Sequence, residues 1–427
     1  MANFARNTSQ NYGEFKVVGT SQLPDDAGEV RLIQHSSGAE ILQIDVPDKF
    51  SRFGIGFKTL PQDDSGASHA LEHLVMKRDE HLRHNTAMLD AANEYLTLAH
   101  LGHLNAQTVS GFTMFEAAGI YSKDLRVVSD YLSRVTVLPD LRHDDYDREV
   151  ARRIKSSSGH SFWNGVVLNE MRAANFSVIS ELNNLVYRLF YSGTPHQYHF
   201  GGSISGLKDL SLSKLKKLHA TWYRRENCRL FVYGQHHLEE TLQRSHEILN
   251  RFPGCDTQHE PDSPTKSRYC GEININLGIS SLPESQAVIR HSWILKNLSP
   301  IEIFAIQSII LPYLTKKGLG DSASDKCRDN TLVVRSDIIL DVPEPIVSID
   351  VFGDNKLDPD QITAALLKEL EAIAINGLPL KSSFERLSLE QLAWLENGAD
   401  NTLGAELLER AVLDWSAGRS PLLGVTT

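Results

Sequence analysis

Two histidines and a glutamate with metal-site spacing lie near residue 70. His69, Glu72 and His73 fall in the run SHALEHLVMK, which has no glycine or proline and is rich in helix-forming residues. Because residues four apart share one face of a helix, His69 and His73 can direct two imidazoles at one point. Imidazole nitrogen binds zinc, and Glu72 on that face can take a proton from metal-bound water. This order, the inverse of the common zincin motif, predicts a catalytic zinc site; two unrelated histidines on a surface helix are the alternative.

A catalytic zinc ion needs a third protein ligand, which we expect to be a carboxylate on another helix. The candidate is Glu170 in the segment GVVLNEMR, where Val166, Val167 and Met171 offer an apolar face with helical periodicity. A single glutamate on a helix is usually solvated, so Glu170 by itself indicates little.

The segments HALEH and GVVLNEM together resemble the pitrilysin and insulin-degrading-enzyme family of zinc peptidases, and within it the presequence protease branch. The resemblance implies that His69, His73 and Glu170 bind Zn²⁺ and that Glu72 is the general base in the hydrolysis of extended, unfolded peptides. We therefore expect a zinc-dependent metalloendopeptidase, or the catalytic subunit of one. A non-enzymatic scaffold or partner-binding subunit descended from such a peptidase is the alternative.

The segment Leu104-Asn105-Ala106-Gln107 resembles the strand that family members offer to their substrate. In the family this strand lies at a sheet edge, and the peptide joins it through backbone hydrogen bonds, so the resemblance implies substrate binding here. An ordinary hairpin strand is the alternative. Presequence proteases contain two such halves, and the resemblance covers the first. We therefore expect a homo- or heterodimer in which another family member supplies the missing half.

The elements that must position these residues alternate between strands and helices. Hairpin patterns at 28–46 and 103–119, with a strand at 53–58, predict an antiparallel sheet from which a short loop leads into the metal motif. Helical patterns follow at 144–156 and at 161–190, the second of which carries the candidate ligand Glu170.

The chain is long enough for two or three domains. Several prolines and glycines among polar residues predict a linker at 253–268, between a catalytic zinc-binding domain at 1–252 and a second, non-catalytic domain at 269–427. The strand–helix order is similar in both halves. The sequence therefore predicts an α+β fold of two consecutive α/β sandwich domains, each a mostly antiparallel sheet packed by helices.

Composition narrows the class of protein. Of 427 residues, 41% are hydrophobic and 23% charged, as in globular proteins, and a net charge of −11 without a long basic run argues against nucleic-acid binding. No apolar run approaches the roughly 18 residues that a membrane helix needs. The four cysteines form no Cys-x-x-Cys pair, and the N-terminal segment has neither a signal-peptide core nor a transit pattern. We expect a soluble cytoplasmic protein with free thiols.

Overall fold

The computed structural model describes residues 10–23, 26–76, 101–119, 124–174, 177–253, 282–317, 332–378 and 402–422. These residues form an α+β fold whose sheets are mostly antiparallel, which confirms the predicted fold class. Within these ranges no helix has both the length and the apolar character that a membrane span requires.

The strands are numbered in chain order. They are β1 (Gln10–Tyr12), β2 (Phe15–Gln22), β3 (Glu29–His35), β4 (Glu40–Asp45), β5 (Ser51–Lys58), β6 (Leu101–Val109), β7 (Phe112–Gly119), β8 (Arg152–Lys155), β9 (Ser161–Asn164), β10 (Cys228–Gly234), β11 (Gln286–Ile294), β12 (Val333–Ile339) and β13 (Ile346–Asp354).

The α-helices are numbered in the same way. They are α1 (Ala67–Met76), α2 (Asp124–Val137), α3 (His143–Glu149), α4 (Val166–Ala174), α5 (Val178–Phe190), α6 (Ile204–Asp209), α7 (Leu212–Trp222), α8 (Leu238–Leu249), α9 (Pro300–Ala305), α10 (Leu311–Lys317), α11 (Pro359–Asn376) and α12 (Thr402–Ser416). A π-helical turn at Ile306–Ile310 joins α9 to α10.

An eight-stranded sheet with the order β1-β2-β3-β4-β10-β5-β7-β6 supports the site. All its neighbouring strands are antiparallel except the pair β4 and β10. Strands β1 and β6 form its two edges. The predicted hairpins appear as β3–β4 and β6–β7, and β5 leads through a short loop to α1.

Both faces of this sheet are covered by helices. On one face, Ala70, Leu71 and Leu74 of α1 are fully buried in the large core that the sheet shares with the helices of the first half. On the other face, Leu408 and Trp415 of α12 pack against apolar side chains of the central strands. The last described helix therefore returns to the first sheet, and the division into domains at 253–268 stays a prediction.

The second sheet has the order β11-β13-β12 and lies against α5. Asp341, which follows β12, connects it to the first sheet, because its carboxylate accepts a hydrogen bond of 2.8 Å from the backbone N–H of Ser110 in the turn between β6 and β7. The same carboxylate accepts a hydrogen bond of 2.7 Å from the Tyr187 hydroxyl on α5. Within the second sheet, Arg290 and Asp350 form a buried bidentate ion pair, with N···O distances of 2.6 and 2.7 Å.

Two predicted helices were too long. The helix predicted at 144–156 ends at Glu149, and the one predicted at 161–190 is replaced by β9, α4 and α5. The chain between them forms the hairpin β8–β9, whose turn contains Gly159 at φ +84°. Gly165 ends the hairpin, and a Cβ there would lie 2.2 Å from the carbonyl oxygen of Val150. Aromatic residues at 162 and 163 favour the strand over the helix.

The sequence also predicts a helix at 85–100, a strand at 270–277 and a helix at 381–394. These three elements, and most of the predicted linker at 253–268, lie outside the described residues. Cys228 is a buried free thiol, and the other three cysteines lie outside the described ranges as well.

Candidate metal centre

The start of α1 is fixed by two glycines that touch. Gly66, at φ +66°, precedes the helix, and a Cβ there would lie 2.3 Å from the carbonyl oxygen of Gly201. Gly202, at φ +75°, has equally little space, because a Cβ added to it would lie 2.3 Å from the Gly66 nitrogen. The Ser203 N–H also donates to the carbonyl of Asp64 at 2.8 Å. These contacts hold the N-terminus of α1 against the loop that follows residue 200.

The side chains of His69, His73 and Glu170 meet at one place. Nε2 of His69 lies 3.5 Å from Oε2 of Glu170, and Nε2 of His73 lies 3.4 Å from the same oxygen. The two imidazole centroids are 4.9 Å apart, and one donor atom from each residue lies within 4.8 Å of the other two. Helix α4 thus brings the carboxylate predicted from the sequence to the pair of histidines on α1.

These separations fit a zinc ion. They exceed the roughly 2.7–3.2 Å of an N–H···O hydrogen bond. Ligands placed about 2.0–2.2 Å from a tetrahedral zinc lie about 3.4 Å from one another. Two imidazole nitrogens and a glutamate oxygen are also a donor set that catalytic zinc sites use, so the residues present suit this metal.

The charge around the two imidazoles suits a cation. Burial lowers the pKa of His69 to about 4, with further lowering by the imidazoles of His73 and His199. His69 is therefore neutral at physiological pH, as a metal ligand must be. Burial also acts to lower the pKa of His73, but the carboxylates of Glu149, Glu72 and Glu170 outweigh it and raise that pKa above its ordinary value.

Glu149 is a residue of this site that the sequence motifs did not reveal. It is the last residue of α3, and its Oε2 lies 3.6 Å from Nδ1 of His73, the ring nitrogen that does not face Glu170. The contact with His73 lowers the pKa of the Glu149 carboxyl. A carboxylate behind a ligating imidazole fixes the orientation of the ring and makes it more basic.

Glu72 projects from α1, the helix that carries both histidines, into a buried row of threonine side chains. Its Oε2 accepts a hydrogen bond of 2.5 Å from the Thr108 hydroxyl on β6. The row continues through Thr113, 3.1 Å from Thr108, to Thr59, 2.8 Å further on. Burial raises the pKa of Glu72, although the bond from Thr108 and the charge of His73 partly offset it. A carboxyl with a raised pKa can accept a proton and return it near neutral pH.

The four predicted substrate-binding residues, Leu104 to Gln107, lie on β6. In the eight-stranded sheet β6 pairs with β7 alone, so within the described chain its outer edge has no partner strand. Asn105 is exposed, and Thr108, the hydrogen-bond partner of Glu72, follows Gln107 directly. A peptide that paired with this edge would pass close to the carboxylate of Glu72.

The loop after residue 197 borders the same site. The ring of Phe200 lies 6.5 Å from that of His69 and is stacked on His199 at 4.7 Å. Ser68 donates a hydrogen bond of 3.4 Å to the carbonyl of Phe200. The loop therefore forms an aromatic wall next to the first histidine of the motif.

No family model matches the chain, but individual relatives do. It is 26% identical over 342 residues to the mitochondrial presequence protease of Schizosaccharomyces pombe, which covers 74% of this chain and 34% of the relative. It is 27% identical over 375 residues to the mitochondrial presequence protease of Xenopus tropicalis, covering 82% of this chain and 35% of the relative. The chain spans about a third of the length of these curated relatives.

Solved structures share the fold. A protease from Helicobacter pylori superposes with a TM-score of 0.62 at 13% identity, covering 93% of both chains. The peptidase M16 inactive domain from Pseudomonas fluorescens superposes with a TM-score of 0.58 at 13% identity, also over 93% of both. Together these matches confirm the resemblance to pitrilysin-family peptidases that HALEH and GVVLNEM predict.

Proposed function

From this resemblance we propose that the chain is the zinc-binding, catalytic part of a metalloendopeptidase that hydrolyses extended, unfolded peptides. The observation that carries the proposal is the convergence of Glu170 with His69 and His73, beside the buried carboxylate of Glu72. The curated relatives, which are proteases, support the same reaction class.

Each residue then has a distinct role in the reaction. His69, His73 and Glu170 would hold Zn²⁺, which supplies Lewis-acid polarisation of the scissile carbonyl and of water. Glu72 accepts a proton from the attacking water and passes it to the leaving amine. Thr108 keeps the Glu72 carboxylate in place, and the outer edge of β6 holds the peptide backbone in an extended form.

The Glu72→Gln variant tests the assignment of the base. The amide has the shape of the carboxylate but cannot accept a proton, so peptide cleavage should fall about 100-fold or more. Zinc bound by His69, His73 and Glu170 should be retained, as measured by metal analysis. Cleavage at the wild-type rate by a zinc-loaded Glu72→Gln variant would show that another group is the base.

We also propose that a second family unit completes the catalytic chamber, in a homodimer or a heterodimer. The match to a peptidase M16 inactive domain of the same fold supports a two-part assembly in which one unit lacks the active site. For a homodimer, activity per chain should rise with protein concentration in step with the dimer fraction seen by sedimentation. For a heterodimer, the separate chain should be nearly inactive until the partner is added. Full activity in a strictly monomeric sample would contradict both.

A non-enzymatic scaffold is the second candidate function, because the fold is also that of a peptidase domain described as inactive. Metal analysis separates the two. The peptidase requires zinc that is lost when His73 is changed to Ala, whereas a scaffold needs no ion at that position.

A further inference from the structure

A second group of two histidines and one glutamate lies far from the candidate metal centre. Glu14 lies in the turn between β1 and β2, His35 ends β3, and His246 lies on α8. Oε2 of Glu14 lies 3.6 Å from Nε2 of His35 and 3.3 Å from Nδ1 of His246. One donor atom from each residue lies within 4.8 Å of the other two. Donor types and separations thus match those of the group formed by His69, His73 and Glu170.

Each imidazole of this second group is also held at its other ring nitrogen. Nδ1 of His35 lies 2.8 Å from the Ser37 hydroxyl and 3.1 Å from the Ser37 backbone nitrogen. Nε2 of His246 lies 2.8 Å from the side-chain amide of Asn250. A metal-binding histidine donates its other ring N–H to such a partner, and the Ser37 hydroxyl can accept a hydrogen bond from Nδ1 of His35 in this way. Without a metal, the Ser37 backbone N–H and the Asn250 amide donate to these ring nitrogens, which leaves the ring protons on the side of Glu14, so the binding of an ion must move those protons. In the alternative without a metal, the Glu14 carboxylate lies between two ring N–H groups. Counting the bound zinc distinguishes this arrangement from a metal site.

The sheet order separates the two groups. His35 ends β3, whereas Glu72 contacts β6, and the strands β4, β10, β5 and β7 lie between them. Five inter-strand steps of about 4.8 Å place the two strands roughly 24 Å apart. An ion bound at the second group would therefore not belong to the candidate metal centre.

We propose that Glu14, His35 and His246 form a second binding site for a divalent metal of the zinc class. His35 is buried and supplies a fixed ligand, while Glu14 and His246 are exposed and leave the ion open to water. The three ligands come from a turn, a strand and a helix. A bound ion therefore joins α8 to the β1 edge of the sheet and stabilises the folded chain by mass action. This inference does not depend on the proposed peptidase activity.

The experiment counts zinc in the full chain after equilibrium dialysis against low-micromolar Zn²⁺. The wild type should bind two equivalents, and His246→Ala and Glu14→Gln one each. His237→Ala is the matched control, since His237 is an exposed histidine at the start of the same helix, and it should bind two. Zinc should raise the thermal midpoint of His73→Ala but not that of the double variant His73→Ala/His246→Ala.

The possible outcomes keep the two proposed sites apart. If His246→Ala and Glu14→Gln, both folded by circular dichroism, bind as much zinc as the wild type, the second site does not exist. If the wild type binds zinc and the variant His73→Ala binds none, the second site is again excluded and the candidate metal centre stands. If zinc is instead lost only with His246→Ala, the second site stands and the peptidase proposal fails.

Discussion

The Thr108 hydroxyl donates a hydrogen bond of 2.5 Å to Oε2 of Glu72, and this bond joins α1 to the edge strand β6. Both side chains are buried, so the interaction is shielded from water. The bond favours the ionised carboxylate and lowers its pKa against the larger, opposing effect of burial. The strand proposed to hold the substrate therefore also sets the proton affinity of the proposed base.

Replacing Thr108 by Val should impair catalysis without removing zinc. A hydrogen bond to a charged group contributes about 1.5–3 kcal/mol, so kcat/KM should fall roughly 10-fold or more. Because Thr108 lowers the pKa of Glu72, the acid limb of the pH–rate profile should also move to higher pH in Thr108→Val. Thr108→Ser keeps the hydroxyl and should retain the wild-type limb. An acid limb that does not move in Thr108→Val would contradict the role of Glu72 as the base.

Replacing Glu149 by Gln should weaken zinc binding. The change removes the negative charge 3.6 Å from Nδ1 of His73 and leaves the three proposed ligands in place. Loss of such a supporting carboxylate typically lowers metal affinity about 10–100-fold, which a competition titration with a chelator can measure. Asp147→Asn is the control, because Asp147 lies on the same helix and pairs with the exposed His143 instead. Equal zinc affinities in the two variants would exclude a supporting role for Glu149.

The sequence revealed the parts of the site that depend on local spacing. His69 and His73 are four residues apart on one helix, so their common direction follows from helix geometry. Glu170 was predicted from the resemblance of its segment to a known family, because spacing cannot specify which distant helix approaches α1. The edge position of β6 likewise followed from the resemblance, and the sheet order agrees with it.

The remaining features depend on tertiary packing. Glu149 meets His73 only because α3 ends beside α1, and neither DREVARR nor any other local pattern indicates that approach. The hairpin β8–β9 was missed because helical periodicity was extended to residue 156 and resumed at residue 161, on either side of the Ser-Ser-Ser-Gly turn, where the structure has two short strands. Similarly, α12 has an ordinary amphipathic pattern that does not specify which sheet it covers.

Binding at the edge of β6 should depend on the backbone of the substrate. In β-pairing, alternate residues of the added strand direct their N–H groups towards the sheet. A peptide with N-methyl groups on one set of alternate residues should show a several-fold higher KM, whereas methylation of the other set should change KM little. Steady-state kinetics with the two peptides, matched in composition, checks this prediction. Identical KM values for both would argue against strand addition.

Replacing Gly202 by Ala should destabilise the fold near the site. The substitution adds a Cβ 2.3 Å from the Gly66 nitrogen to a residue at φ +75°, so the start of α1 must shift. The positive φ alone costs about 1–2 kcal/mol, and the clash adds to it. Gly159→Ala is the control, because its φ of +84° is similar but nothing lies within 4 Å of its Cβ. Denaturant unfolding should show a larger loss of unfolding free energy in Gly202→Ala than in Gly159→Ala. Zinc binding should be weakened in Gly202→Ala only.

The contribution of His196 to the stability of the fold should rise with pH between about 4 and 6.5. This side chain is buried, with Nδ1 2.9 Å from the Ser110 hydroxyl, and burial lowers its pKa from 6.5 to about 4. Within that window the unfolded chain binds a proton that the folded chain does not, so the free energy of unfolding increases with pH. The contribution of one such histidine is of the order of 3 kcal/mol across the window.

The variant His196→Gln should therefore have a shallower dependence of unfolding free energy on pH than the wild type. The exposed His237→Gln should leave the slope unchanged. Urea denaturation at several pH values between 4 and 7 measures both slopes. If His196→Gln keeps the wild-type slope, other buried groups account for the pH dependence, and His196 is protonated as readily in the folded chain as in the unfolded one.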